Sequence, residues 1–158
     1  MPCASNATRQ VSAAMDGQPL YAAYGSNLDH ARMLGRCGGA VPVGVALLPG
    51  WRLVVNHYAS IIPDRAASVP LGLWRITRRH LAALDIAEGT ALGIYERIRI
   101  RLPQPVAEQP EAWIYVERRS RPGPPQGWYV AHLRQGYRDF SLDVAPLEAA
   151  LSPVLSGG

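Results

Sequence analysis

The sequence predicts an α+β domain: a small mixed sheet, strongly curved or barrel-like, flanked by a few helices. Two observations carry this. Strand-like apolar stretches outnumber helical ones, and their order, β-α-β-β-β-α-β-β-α, lacks the regular strand–helix alternation of a doubly wound sheet. At 158 residues, 48% hydrophobic and 18% charged, the chain has the length and composition of one globular domain. The expected organisation is a flexible arm over 1–18, a single domain over 19–152 and a flexible tail over 153–158.

Each element has a local reason. "PLYAAYGS" reads as a strand running into a turn, and "SNLDHARMLGR" as a short helix with Ser26 as N-cap and Asp29 three places on. "VPVGVALLPGWRLVVN" reads as two apolar strands around a Pro49-Gly50 turn, followed by a loop, "HYASIIPDRAAS". "VPLGLWRI" is a further strand. "TRRHLAALDIAEG" is a helix with Thr77 as N-cap and Gly89 as its stop. "IYERIRIRL" alternates, with Tyr95, Arg97, Arg99 and Arg101 on one face, and Ile94, Ile98, Ile100 and Leu102 on the other. "EAWIYVE" is a strand, "RSRPGPPQG" a loop, 128–137 a helix and "APLEAAL" a short last helix.

Composition excludes some chemistry. All 16 basic residues are arginine, so neither a lysine Schiff base nor a Walker-type lysine is available. The two cysteines make no disulfide framework, and Cys37 reads as an inert free thiol. His30, His57, His80 and His132 lack metal-ligand spacing, so no metal and no cofactor are expected. A net charge of +4, dispersed along the chain, does not argue for nucleic acid. No apolar run is long enough for a membrane span and no signal-peptide pattern precedes the domain, which makes a cytoplasmic location the expectation.

The informative acid is Glu88. The apolar stripe of its helix runs through Leu81 and Leu84 towards positions 85 and 88, so a glutamate occupies a core-facing place. It also sits in the last turn, where the helix dipole disfavours negative charge. Both effects push its pKa upward, as a general base working near neutral pH requires. A frayed helix end with Glu88 in water is the competing reading, and Asp85 reads as its structural neighbour. The Gly25-Ser26 junction aims free N–H groups at whatever lies above it, although Ser26 as a plain cap also accounts for it. Without a G-x-S-x-G elbow, Ser26 is not a nucleophile.

Taken together, "YAAYGSNL", "LDIAEG" about sixty residues on, "GIYERIRI", and an aromatic after a proline-rich loop in "PPQGWY" resemble the γ-glutamylcyclotransferase family, from about Leu20 to Leu151. The resemblance implies a small mixed β-barrel with flanking helices and the conversion of a γ-glutamyl compound to 5-oxoproline and a free amine. It implies Glu88 as the catalytic acid/base. It implies Tyr21, Ala22, Ala23, Tyr24, Gly25, Ser26 and Asn27 as the substrate loop, with Tyr95 and Tyr129 as further substrate-binding residues. The partner it implies is a small γ-glutamyl molecule, bound by a monomer or homodimer. The chain departs from the family after "GWYVAHLRQGYRDF", where the usual G-L-P is replaced by "FSLDVAP". Alternatives are a γ-glutamylamine as substrate, removal of a γ-glutamyl protecting group, a non-catalytic binding module, and a nucleic-acid binder using the Arg97/Arg99/Arg101 face.

Overall fold

The structure, a computed structural model, describes residues 18–119 and 121–155. The expected arm up to residue 17 and the tail from residue 156 lie outside the described residues, whereas 153–155, expected as the start of that tail, continue the last helix. In chain order the elements are β1 (Leu20–Ala23), a 3-10 turn (Ser26–Leu28), α1 (His30–Arg36), β2 (Val41–Val55) and β3 (Ala59–Arg75). Then come α2 (Arg78–Ala87), a second 3-10 turn (Thr90–Leu92), β4 (Tyr95–Val106), β5 (Gln109–Glu117), α3 (Gly127–Asp139) and α4 (Ala145–Leu155).

The predicted α+β class holds. Five strands form one sheet in the order β2-β3-β1-β5-β4, antiparallel except for the β1–β5 pair. The sheet curves until its edge strands approach: Gly44 of β2 lies where a Cβ would come within 2.8 Å of Val106 on β4. Hydrogen bonding does not close the ring.

Three expectations need correction. The stretch 41–55 is one long strand, not two. Pro49-Gly50 forms a bulge inside it, with Gly50 at φ 83° and a register shift before Trp51. Turn chemistry is spent there on bending an edge strand, where a proline lacking N–H is tolerated. The expected loop over 57–68 is the first half of β3, and the reversal is confined to Asn56–Tyr58, where Asn56 N–H donates to the Tyr58 carbonyl (3.1 Å). Finally, Ser26 caps no helix. Asp29 is the N-cap of α1, its carboxylate accepting from Arg32 N–H (3.2 Å), and a separate 3-10 turn intervenes.

The cap predicted at Thr77 is present in full. Its hydroxyl accepts from His80 N–H (3.1 Å) while the His80 ring accepts from Thr77 N–H (3.2 Å). Gly89 ends this helix at φ 65°.

The core lies between the concave sheet and the helices. Trp74, Leu28, Leu133, Tyr137 and Leu147 are fully buried there. Two polar links tie α3 to the start of α1 through this core. His132 Nδ1–H donates to the buried Asp29 carboxylate (2.7 Å), and His30 N–H donates to Asp139 (2.9 Å). Desolvation would raise the Asp29 pKa, but the hydrogen bonds from His132 and Arg32 N–H outweigh it and hold the acid below its usual value. Among the described residues no helix is long and apolar enough to cross a membrane.

Candidate active site

The chain turns sharply at four places near one side of the sheet: after β1, between β2 and β3, after α2 and before α3. These turns surround a cavity of about 370 Å³. The cavity collects Tyr21, Tyr24, Gly25, Ser26 and Asn27 from the first, Tyr58 and Ala59 from the second, Glu88 and Gly89 from the third, and Trp128 and Tyr129 from the fourth. Tyr95, at the start of β4, also lines it. Ala22 and Ala23 do not. They are buried within β1, paired with Leu73 and Gly72 of β3, and supply backbone to the sheet instead of surface to the cavity.

Glu88 is the C-cap of α2, with its N–H donating to the Leu84 carbonyl (2.8 Å). Its carboxylate takes no hydrogen bond or ion pair from any described residue. Desolvation raises its pKa, and the charges of Arg36 and Arg32 offset part of that rise. A half-buried acid with no partner of its own is free to exchange a proton with a molecule in the cavity.

Four of the six tyrosines lining the cavity, Tyr21, Tyr24, Tyr95 and Tyr129, are sorted by where their protons go. Tyr24 spends its proton on the Tyr115 carbonyl (2.6 Å), and Tyr95 spends its own on the Ala59 carbonyl (2.9 Å). Their remaining lone pairs can only accept. Tyr129 accepts from Ala59 N–H (2.8 Å) and Tyr21 accepts from the Asn27 amide (3.1 Å), which leaves both hydroxyl protons for another acceptor. Burial raises the pKa of all four, so they stay neutral donors and acceptors across the physiological range. Ala59 is thus gripped from both sides, which fixes two of these hydroxyls in place.

Asp85, one turn before Glu88, accepts from Tyr115 (2.6 Å) and pairs with Arg97 (2.9 Å). It braces α2 against β4 and β5 and does not line this cavity. Arg97 and Arg99 also stack on Trp113, at 4.7 and 4.4 Å from its ring centre, and Arg99 pairs with Glu111 (3.3 Å).

Two residues that the sequence alone did not single out are Arg32 and Arg36. They are four apart on α1, therefore on one helix face, and both line the cavity. Ser26 Oγ accepts from Arg32 Nε (3.0 Å) and Asn27 Oδ1 accepts from Arg36 (3.1 Å). The polar side chains of the Gly-Ser-Asn loop therefore hold two guanidiniums in the cavity wall. The signal was present as the i, i+4 spacing in "ARMLGR", but Ser26 as a helix cap and the loop as a substrate contact gave no reason to join Ser26 and Asn27 to α1. Tyr58, Trp128 and Arg121 were also missed, because their approach depends on how the sheet curls.

The opposing charges of Glu88 and Arg36 predict a measurable coupling. Arg36→Met removes a charge that lowers the Glu88 pKa, so any activity needing ionised Glu88 loses its acid limb at a higher pH than in the parent. The KM should also rise ~10-fold or more if Arg36 holds a substrate carboxylate, the usual scale for a charged hydrogen bond. A pH profile of kcat/KM reads both effects, and an unmoved acid limb would show that Arg36 does not act on this acid.

Among the described residues no group of three or more His, Cys, Asp or Glu is placed to hold a metal ion. No curated protein sequence matches the chain. Solved structures share its fold. The human protein loc79017 superposes with a TM-score of 0.74 at 24% identity, covering 87% of this chain and 88% of that one. A gamma-glutamyl cyclotransferase superposes with a TM-score of 0.72 at 24% identity and the same coverage. YkqA from Bacillus subtilis superposes with a TM-score of 0.71 at 20% identity, covering 94% of this chain and 58% of that one. The model of the gamma-glutamyl cyclotransferase, AIG2-like family matches residues 21–131, a span that contains the Gly-Ser-Asn loop, both cavity arginines, Glu88 and Tyr129. The chain belongs to that family.

Proposed function

We propose that the protein is a cofactor-independent γ-glutamyl cyclotransferase with Glu88 as its general acid/base. The observation that carries this is the unpartnered, pKa-raised carboxylate of Glu88, facing a cavity also lined by two fixed guanidiniums. A γ-glutamyl group carries one α-ammonium and one α-carboxylate, and the cavity offers the complement of each. The carboxylate pairs with Arg32 and Arg36. The ammonium lies near Glu88 and the acceptor oxygens of Tyr24 and Tyr95.

Catalysis then needs no covalent residue. Glu88 takes a proton from the ammonium, and the freed amine attacks the γ-carbonyl of the same molecule. Negative charge grows on the carbonyl oxygen and is met by the free hydroxyl protons of Tyr129 or Tyr21, or by N–H groups of the loop. The turn's own hydrogen bonds begin at Leu28 N–H, so the N–H groups at Ser26 and Asn27 have no partner within it. Glu88 gives this proton to the leaving nitrogen as its bond breaks and takes the second proton, shed by the ring nitrogen, giving 5-oxoproline and a free amine. Holding nucleophile and carbonyl within one folded molecule supplies several kcal/mol of the barrier reduction, of the ~7–11 kcal/mol available to well-oriented intramolecular reactions. Gly25 keeps the cavity open beside Tyr129, since a Cβ there would lie 3.5 Å from its hydroxyl and 3.3 Å from the Ala59 Cβ.

The test is release of 5-oxoproline from γ-glutamyl dipeptides and γ-glutamylamines by the purified full chain. The expected result is turnover of at least one member of the panel without added metal or cofactor, and silence across both classes would refute the proposal.

A further inference from the structure

Four large apolar side chains stand exposed around the one cavity just described. Ile86 is 84% exposed, Leu92 72%, Trp128 48% and Tyr58 42%, and all four line it. A residue that lines a cavity while facing solvent sits at its mouth. A single exposed isoleucine needs no explanation, but four large apolar groups at one opening are not scatter. The contrast with the interior is sharp, since the interior presents a carboxylate, guanidiniums and tyrosine hydroxyls.

The local backbone and ring contacts hold these groups at the mouth. Gly89 and Gly93 both adopt positive φ, 65° and 69°, and bracket the turn that projects Leu92. Ile86 precedes Glu88 by two residues on the last turn of α2. Trp128 is steadied by the Arg32 guanidinium, 5.6 Å from its ring centre, and by an edge contact with Tyr129 at 5.9 Å. Tyr58 makes a similar edge contact with Tyr129 at 5.2 Å.

We propose that this rim is a subsite for the leaving half of the substrate, and that the class it takes is γ-glutamyl conjugates of large apolar or aromatic amines and amino acids. This rests on the functional reading above. If Glu88 returns a proton to the leaving nitrogen, whatever that nitrogen carries must emerge beside Glu88, where Ile86 and Leu92 flank it in the chain. An apolar substituent there covers surface otherwise left in water. A cationic substituent, such as a lysine side chain, meets only the positive charges of Arg32, Arg36 and Arg121 at the wall, apart from Glu88 itself. The Arg121 backbone N–H is already spent on the Glu117 carboxylate.

The test is kcat/KM for γ-glutamyl-phenylalanine, γ-glutamyl-phenethylamine, γ-glutamyl-glycine and γ-glutamyl-lysine linked through the lysine α-nitrogen, in the parent and in Ile86→Ser and Leu92→Ser. Both substitutions are at exposed positions. The parent should favour the two aromatic substrates over the glycine conjugate by ~10-fold or more, the discrimination one apolar contact commonly provides. Each serine variant should lower that ratio several-fold while leaving turnover of the glycine conjugate near the parent's. Equal ratios in parent and variants, or preference for the glycine or lysine conjugate, would overturn the subsite and leave the cyclotransferase reading standing. Absence of 5-oxoproline from all four would overturn that reading and the subsite with it.

Discussion

Glu88→Gln should lose 5-oxoproline release by at least ~10²–10⁴-fold, the range one positioned proton-transfer group supplies, without losing the fold. The amide has the shape of the carboxylate and cannot take the proton. The stability readout has a determined sign. The Glu88 pKa in the folded protein is raised above its unfolded value, chiefly by desolvation. A group raised in this way stabilises the fold below its unfolded pKa, and that contribution is lost as pH rises through the folded pKa. Above its folded pKa the ionised carboxylate is therefore a cost carried for chemistry, and in that range the glutamine variant should melt at the same temperature as the parent or higher. Loss of activity with retained or increased Tm identifies the group as functional. Turnover within tenfold of the parent would assign the proton transfer elsewhere. A markedly lower Tm would show instead that the carboxylate supports the fold.

This acid was legible in the sequence because helical periodicity is a local property. Leu81, Leu84 and Glu88 fall on one stripe whatever the rest of the chain does, and a charge on an apolar stripe is anomalous wherever that helix packs. The α+β class was legible for a similar reason, since strand and helix stretches can be counted along the chain. The arginines were harder. Their spacing is local, but their role follows from Asn27 and Ser26 turning back towards α1, which the 3-10 turn imposes and the sequence hides behind a plausible serine cap. Asp29 won that cap because its carboxylate also meets His132, far along the chain. The β2–β3 hairpin failed differently. Pro49-Gly50 is a strong turn signal, yet the long partner strand β3 runs past it, and pairing across both strands outweighs one local preference. Tyr58 and Trp128 reach the cavity only through the curl of the sheet and the seating of α3, neither of which has a sequence signature.

Gly136→Ala is expected to cost ~3 kcal/mol of stability, at the upper end of what overpacking usually does. By helix propensity alone it should stabilise, since alanine exceeds glycine by ~0.8–1 kcal/mol within a helix. The opposing effect is steric. A Cβ on Gly136 would overlap the Leu28 Cβ, and would stand 2.6 Å from the Asp29 backbone nitrogen and 2.7 Å from the Leu28 carbonyl carbon. Two of those three atoms are backbone, so no rotamer change relieves them, and α3 must move away from the first 3-10 turn. That shift stretches both links between the helices, His132 to Asp29 and Asp139 to His30 N–H. It also carries Tyr129, seven residues earlier on the same face of α3, away from Ala59. Stability and turnover should therefore fall together, read as a lower denaturation midpoint at unchanged m-value and as a lower kcat. Gly35→Ala is the matched control, because a Cβ there meets nothing within 4 Å, and it should leave activity intact and add up to ~1 kcal/mol. If Gly136→Ala stabilised the protein as the control does, α3 would not be seated by this contact, and the placement of Tyr129 would have to come from its hydrogen bond to Ala59 alone.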